Sequence, residues 1–427
     1  MNKIKPFSAV IYNQQKLADL AKVICPPYDI ISPVYRDLLH ERSPHNFIHV
    51  LLGKDIPGED KYQHSGRLFQ EWLKTSILVQ DKEPAVYFYS QQYFKRGEKK
   101  TRLGFIALLR LPDESQEVFG HEHTRLEAKE DRFKLLKEVK ANLSPIFSVF
   151  LDKKRIIQRV YQQRAQKDSP FIDVTDDDRV THQLWRISSP ELIASMQAAM
   201  NKENIFIADG HHRFEVACAY KAEMAKRLGS SFTGEEDFNY LLSYFTNTDP
   251  RGLLIMPIHR LLKLKASLEA PSLKRGLEEY FHVEEFPDRS RFFFLLEKGG
   301  QQEHLLGLYK EGKYWLLRLK NVRILDRMLS DKPKEYRCLD VCILNYIIMN
   351  KVLGLDPEDK ALLEFSPSAE ELIKQVDQFK DYLAFFLNPV KMEQIIAVAL
   401  TGNKMPPKST YFYPKVASGM VINKLEN

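Results

Sequence analysis

Cysteine is scarce, with Cys25, Cys218, Cys338 and Cys342 the only four in 427 residues, and a disulfide framework is thereby excluded as the main support of the fold. Cys338 and Cys342 are four apart and could share a helix face, but a metal site needs more ligands and no nearby His completes one. Buried free thiols, and no metal held by protein ligands alone, are the expectation. No window of about 18 apolar residues free of charge exists, which argues against a membrane-spanning helix. Residues 1–11 lack a charged, apolar, small-residue signal pattern, so a cytoplasmic location is expected. Repeats of solenoid or propeller period and low-complexity tracts are missing as well. Charge of one sign is also lacking. The 63 Lys and Arg and 57 Asp and Glu leave a net charge of +6 and are interspersed along the chain. With no basic arm or helix-turn-helix pattern, nucleic acid is not the expected partner, and an anionic small molecule fits the balance better. A homo-oligomer stays open.

What remains is ordinary globular composition, 44% hydrophobic and 28% charged, at a length sufficient for two or three packed units. The densest chemistry lies at 204–228. Ile205, Phe206, Ile207 and Ala208 make an apolar run of strand length, and Val216, Ala217, Tyr220, Met224 and Leu228 recur at helical spacing. Between them Asp209, His211, His212 and Arg213 surround Gly210, a residue suited to a turn with positive φ and to close approach by a ligand. A helix start offers N–H groups and a positive dipole end to a phosphate. Arg213 adds a bidentate grip, and Asp209, His211 or His212 could move a proton. The same residues also read as a turn capped by Asp209 with two solvated histidines.

Earlier in the chain, Pro26 and Pro27 force an extended approach to Asp29, a candidate substrate contact, and Ser32 with Pro33 reads as the cap of a helix at 34–42. The segment 46–52, with Asn46 and His49, alternates like a strand, and 65–79 reads as an amphipathic helix. Strands at 85–94 and 102–111 flank a basic hairpin tip at 95–100. His121-Glu122-His123-Thr124-Arg125 is not a zinc-protease signature, because its histidines are two apart where that signature needs four. His121, Glu122 and Thr124 suit an anion or nucleotide site closed by a helix at 129–140, or else a solvated charged loop.

Further strands are expected at 145–151, 183–187, 238–246, 252–262, 292–296, 305–309 and 314–319. Helices are expected at 153–167, 339–352 and 369–376, with an acidic turn at 173–179. His259 and Arg260 at the end of the 252–262 strand are candidate substrate contacts, His259 reading equally as a core histidine. The charge-rich stretch 263–275 marks a boundary. Near the end, Met405-Pro406-Pro407-Lys408-Ser409-Thr410 offers an ammonium group and two hydroxyls, with Lys415 beyond, a set that suits phosphate oxygens although the glycine-rich P-loop is absent.

Taken in order, Pro26-Pro27-Tyr28-Asp29, His121-Glu122-His123-Thr124, Asp209-Gly210-His211-His212-Arg213, Pro257-Ile258-His259-Arg260 and Met405 to Thr410 resemble a large prokaryotic family catalogued as domain of unknown function number one thousand and fifteen. Its members tend to lie beside serine-biosynthesis genes. The Asp209 to Arg213 loop also resembles the nucleotide loop of the ParB and sulfiredoxin superfamily, including its free-serine kinases. Sulfiredoxin has Gly-Cys-His-Arg where this chain has Gly210-His211-His212-Arg213, so the cysteine of its sulfur chemistry is missing.

The resemblance implies an α+β fold with a mixed-sheet core of ParB/sulfiredoxin-like type, large insertions and a second C-terminal α+β unit. Residues 1–265 would carry the nucleotide loop and 266–427 the Pro-Pro-Lys-Ser-Thr motif. The expected function is a small-molecule kinase using ATP or ADP with Mg²⁺, acting on a hydroxyl metabolite such as free L-serine. Asp209 would be the base; the second carboxylate of the serine kinases has no motif-level match, leaving Asp29 or Glu122. The competing reading is a ParB-like nucleotide-binding regulator with weak hydrolysis and no acceptor.

Overall fold

In this computed structural model the chain is described at residues 2–95, 97–112, 118–264, 268–300, 303–359 and 361–426. The hairpin tip expected at 95–100 includes Arg96, and the boundary expected at 263–275, like the division between 265 and 266, includes residues 265–267. These positions lie outside the described residues. The backbone forms two compact units, one of Met1–Gly120, Thr124–Leu254 and Pro414–Asn427, the other of His121–His123 and Ile255–Tyr413.

The first unit is built on a nine-stranded sheet. Its strands are β1 (Ile4–Lys5), β2 (Val86–Lys95), β3 (Glu98–Arg110), β4 (Val118–Gly120), β5 (Ile146–Phe150), β6 (Ile172–Thr175), β7 (Thr181–Ile187), β8 (Ile205–Asp209) and β9 (Tyr240–Asn247). They lie in the order β4-β8-β5-β9-β3-β2-β7-β6, with β1 beside β3. The β4–β8 and β5–β9 pairs are parallel, so the sheet is mixed. Val86 and Phe88 point to one face and Tyr87 and Tyr89 to the other, and all four are fully buried. That two-sided burial is why residues 86–89 read as a continuous apolar run rather than a half-exposed alternation. The first face packs Phe88, Phe105 and Trp185 against Met196 and Met200 of a helix, Pro190–Met200. The second carries Tyr89, Phe147 and Tyr244 in edge or tilted ring contacts, together with Gln91 and Arg102. A Cβ at Gly104 would lie 2.5 Å from the Tyr244 ring, so only glycine admits that ring.

Around this sheet stand α1 (Pro33–Arg42), α2 (Lys61–Lys74), α3 (Leu126–Val139) and α4 (His211–Leu228). Ser32 caps α1 by accepting from Tyr35 N–H, as its place before Pro33 implies. The strand expected at 46–52 is instead a helical turn, Ile48–Leu51: Asn46 Oδ1 accepts from Ile48 N–H at 3.0 Å, and that local bond starts a helix where side-chain alternation alone suggested a strand.

The second unit holds a six-stranded antiparallel sheet of β10 (His259–Lys263), β11 (Phe281–Phe286), β12 (Leu305–Lys310), β13 (Lys313–Leu319), β14 (Leu363–Ser366) and β15 (Tyr382–Phe386), in the order β11-β13-β12-β15-β10-β14. The strand expected at 252–262 breaks at Pro257 into Leu254–Met256 and β10, because proline donates no ladder bond. The strand expected at 292–296 is a helix, α5 (Arg289–Gly299), capped by Asp288 through Arg291 N–H. Phe292 and Leu296, one helical repeat apart, join the core while Phe294 stays exposed. Helices α6 (Ala369–Gln378) and α7 (Met392–Leu400) also belong to this unit. The α+β expectation, with a large mixed sheet and a second C-terminal α+β unit, describes this architecture. No helix among the described residues is long and apolar enough to cross a membrane.

Candidate functional site

β8 and β5 run antiparallel, and their register shifts between Ile207 and Asp209, which puts Asp209 opposite Phe147. Regular pairing from Ile207–Ser148 would put Asp209 opposite Ile146, a residue of the apolar core. The bulge therefore re-aims the carboxylate to the polar face of the sheet. Gly210 follows at φ +91°, and a Cβ there would sit 2.9 Å from both Arg213 Nη2 and Ile146 Cγ2, so both conformation and space require glycine. Helix α4 then starts at His211, and no side chain among the described residues caps it. Its positive dipole end lies beside Gly210.

Asp209 is the centre of a nearly buried ionic group. Its Oδ2 accepts from Arg213 Nη2 at 2.9 Å, and its Oδ1 pairs with Lys415 Nζ. Side-chain exposures are 11%, 12% and 10% for Asp209, Arg213 and Lys415. Burial by itself would raise the Asp209 pKa, but Lys415 and then Arg213 outweigh it and hold the carboxyl at about 2. Arg213 Nη1 also donates to Pro145 O at 2.6 Å, while its Nε is buried without a hydrogen-bond partner among the described residues.

Lys415 reaches this group because its backbone is clamped. Gln91 Nε2 donates to Lys415 O at 2.9 Å, and Arg102 donates to Pro414 O at 2.5 Å and to Gln91 Oε1 at 3.0 Å. Arg102 is itself fully buried, its guanidinium 4.5 Å from the Phe147 ring centre, an arrangement that serves a desolvated cation. Beyond it, Ser418 exchanges two backbone bonds with Cys25, and its hydroxyl meets that of Ser144 at 2.6 Å. The residues before Pro26 are thereby pinned to the C-terminal strand of chain. Tyr28 lies under the Arg132 guanidinium at 4.4 Å. Burial first and Asp29 second push its hydroxyl up to about 12, against the pull of Arg213 and Arg132. Tyr28 thus belongs to the electrostatic surroundings of the loop. Asp29 is exposed.

The other expected residues of this unit are engaged structurally. His212 Nε2 accepts from Arg125 N–H at 2.9 Å, which leaves Nδ1 as the protonated nitrogen of a neutral ring and occupies the lone pair a proton acceptor would use. Thr124 Oγ1 and Lys129 Nζ both donate to Glu215 Oε2, at 2.6 and 3.1 Å, joining the start of α3 to α4. His211 is buried and adds positive potential at Asp209.

A second group of expected residues gathers in the other unit. Met405 N–H donates to His121 O at 2.7 Å, and His121 Nε2 meets Thr410 Oγ1 at 3.1 Å. Lys408, at φ +58°, donates its N–H to Glu122 Oε1 at 3.0 Å, and its carbonyl accepts from Arg260 Nη2 at 2.8 Å. Ser409 Oγ donates to Pro406 O at 2.6 Å. Among the described residues no side chain pairs with the Lys408 ammonium. Arg260 is buried and drawn down to about 9 by desolvation, with Glu122 opposing. His259, pushed to about 4 by burial and by Arg260, accepts from Leu387 N–H at 3.2 Å and meets the Phe386 ring edge-on at 5.3 Å. It is a neutral core histidine. Both side chains face protein interior, not solvent, in place of the expected substrate contact, because the chain spends them on Leu387 N–H and on the carbonyls of Ile258 and Lys408.

Sequence reasoning did not single out Gln91, Arg102 or Arg132, met Tyr28 only as part of the Pro26 to Asp29 motif, and grouped Lys415 with Lys408, Ser409 and Thr410. Gln91 stands between Ser90 and Gln92, and Arg102 follows Glu98, Lys99, Lys100 and Thr101, so neither stands out from its own strand as a buried polar residue.

Comparisons with solved structures find a free serine kinase variant in complex with ADP, at 12% identity and TM-score 0.36, covering 73% of this chain and 89% of that one. SbnI with a C-terminal truncation, from Staphylococcus aureus, matches at 10% identity and TM-score 0.36, covering 74% and 86%. A conserved hypothetical protein from Pyrococcus furiosus matches at 14% identity and TM-score 0.34, covering 72% and 92%. Similarity of that degree says nothing about activity. No curated protein matches the chain. The family model described as protein of unknown function, DUF1015, matches residues 4–342, and the chain belongs to that family.

Proposed function

We propose that the chain is a small-molecule kinase that transfers a phosphoryl group from ATP or ADP to a hydroxyl metabolite, with free L-serine the first acceptor to test. The observation that carries this reading is the convergence of Asp209, Arg213 and Lys415 at the uncapped start of α4, beside a glycine that leaves the backbone open. One buried carboxylate with two cations at a helix N-terminus supplies the positioning and charge neutralisation that phosphoryl transfer asks for.

In this mechanism the nucleotide phosphates draw Arg213 and Lys415 away from Asp209. Losing its two cations raises the basicity of the carboxylate, which then takes the proton of the acceptor hydroxyl. The alkoxide oxygen forms its bond to the terminal phosphorus as the bond from that phosphorus to the bridging oxygen breaks, and ADP or AMP leaves. Arg213, whose buried Nε has no partner among the described residues, gains one on the phosphate. Among the described residues no three His, Cys, Asp or Glu side chains gather to hold a metal. Mg²⁺, where bound with the nucleotide, would supply further charge neutralisation, and Asp209 is the carboxylate of this group that would hold it. Lys408, whose ammonium pairs with no side chain among the described residues, is kept as a candidate phosphate contact of the second unit, where Glu122 shapes its loop, and Thr124 as a candidate that shapes the loop of the first.

The pKa of about 2 at Asp209 favours a second reading, a nucleotide-binding regulator, because a carboxylate held that low is a poor base until its cations move. Incubation with labelled ATP or ADP, Mg²⁺ and a panel of hydroxyl metabolites including L-serine separates the two. Phosphorylated metabolite supports the kinase. Binding, or slow release of phosphate, with every acceptor untouched overturns it.

A further inference from the structure

A cavity of about 60 Å³ lies within the first unit beside the Asp209 loop, with which it shares Arg213. It has room for about four to six water-sized groups at ~10–15 Å³ each. Leucines, alanines and Val216 make most of its wall, and the polar lining is Tyr28, Arg132, Asn142, Ser144 and Arg213. Among the described residues no Asp or Glu lines it.

The polar groups left over in this lining are donors. Arg132, its side chain 7% exposed, spends Nε and one N–H of Nη2 on Asp131 and one N–H of Nη1 on Leu51 O, so each η nitrogen keeps a second N–H. Asn142 is also 7% exposed. Its Oδ1 accepts from Leu242 N–H at 3.1 Å and from Asn423 Nδ2 at 3.2 Å, and among the described residues its Nδ2 donates to nothing. The Tyr28 hydroxyl, which burial keeps protonated, also has no hydrogen-bond partner among the described residues. Ser144 is committed to Ser418.

An aliphatic cavity with spare donors and guanidinium charge suits a ligand that brings oxygen acceptors on a short hydrocarbon. A carboxylate meets that description. An ammonium group would find no carboxylate there and two guanidinium charges of its own sign. Arg213 joins the cavity to the loop, its Nη2 2.9 Å from Asp209 Oδ2, and the charges of both residues reach the Tyr28 hydroxyl.

We propose that this cavity seats a short hydroxy acid lacking an ammonium group, its carboxylate on Arg132, Asn142 Nδ2 and the Tyr28 hydroxyl and its own hydroxyl toward Arg213 and Asp209. That such an acid is the phosphoryl acceptor rests on the kinase reading and places three-carbon hydroxy acids ahead of free serine; its binding does not rest on that reading.

The test uses the full chain without nucleotide, and L-lactate and L-alanine as probes, which share a carbon skeleton and differ in carrying a hydroxyl or an ammonium. Calorimetry should show saturable binding of L-lactate, weaker saturable binding of propionate, and none of L-alanine. Arg132→Met should weaken lactate binding about tenfold or more, as loss of a charge-assisted bond does. Tyr28→Phe should weaken it several-fold, and because the Tyr28 hydroxyl bonds to none of the described residues, that variant decides the matter if Arg132→Met does not fold. Absence of saturable lactate binding, L-alanine binding as tight as lactate, or parental affinity in Tyr28→Phe overturns the proposal. Labelled ATP with Mg²⁺ then separates the cavity from the kinase reading. Lactate that binds and is not phosphorylated supports the cavity and counts against lactate as the acceptor; phosphorylated serine without lactate binding overturns the cavity and leaves the kinase.

Discussion

Two groups of charged motif residues, one in each unit, draw on the same ingredients and use them differently. In the first unit Asp209, Arg213 and Lys415 meet side chain to side chain, and the backbone beside them is a left-handed glycine and an uncapped helix start. In the second, Glu122, Arg260 and Ser409 are spent on the backbone of residues 406 and 408, so their charges and hydroxyls shape a turn. A Lys-Ser-Thr run and an Asp-Gly-His-His-Arg loop look equally suited to phosphate when read as residue types. What separates them is whether the polar atoms are already committed to main-chain groups, because a committed donor gains little by turning to a ligand. Only Lys408 keeps an ammonium with no side-chain partner among the described residues.

This contrast sets the size of the expected effects. The largest belongs to Asp209→Asn, which keeps shape but removes the proton acceptor. Turnover in the labelled-nucleotide assay should fall by about two to four powers of ten with little change in nucleotide affinity, and parental turnover would remove Asp209 from the mechanism. Next comes Arg213→Lys, which keeps charge but loses the planar fork. Calorimetry should show nucleotide affinity falling more than tenfold, and an unchanged value would place Arg213 outside the site. Lys408→Ala follows: normal folding by circular dichroism with roughly tenfold weaker nucleotide binding, and protection of residues 405–415 from proteolysis by bound nucleotide. Parental binding and an unprotected segment would reduce the second group to turn formation alone.

The smallest effect is on acid stability. The folded-state pKa of Asp209, about 2, lies below the ordinary carboxylate value near ~3.9. Its contribution is therefore complete above that ordinary value and is lost as pH falls toward 2. Lys415→Met removes the larger of the two effects that hold the carboxyl down, so the folded-state value rises toward or past the ordinary one and the urea midpoint should fall less between about pH 4 and 2 than the parent's. Superimposable pH profiles would mean that Lys415 does not set the charge state of Asp209.

Local features were legible in the sequence. The strand, glycine and helix at 205–228 follow from a short apolar run, one residue tolerant of positive φ, and 3.6-residue spacing, and the structure has all three. So was the Ser32-Pro33 cap. Features set by distant partners were not. Nothing within β8 announces the bulge that turns Asp209 toward Phe147, and Lys415 meets Asp209 across 206 residues of chain. Phe292 to Leu296 is apolar throughout, and a short apolar run is ambiguous until its cap, Asp288, and its burial are known. His259 and Arg260 sit beside each other at a strand start with the composition of a site, yet both end in the interior because β10 is flanked on both sides by β14 and β15.

The claim that the first unit's loop is the phosphate site is tested most directly by titrating ADP with Mg²⁺ into the parent and into Lys415→Met in a calorimeter at neutral pH. Lys415 is 206 residues from Asp209 in sequence and has no reason to affect nucleotide binding unless phosphate is held where those two side chains meet. A loss of about tenfold or more in affinity is expected; equal affinities in the two proteins would contradict it.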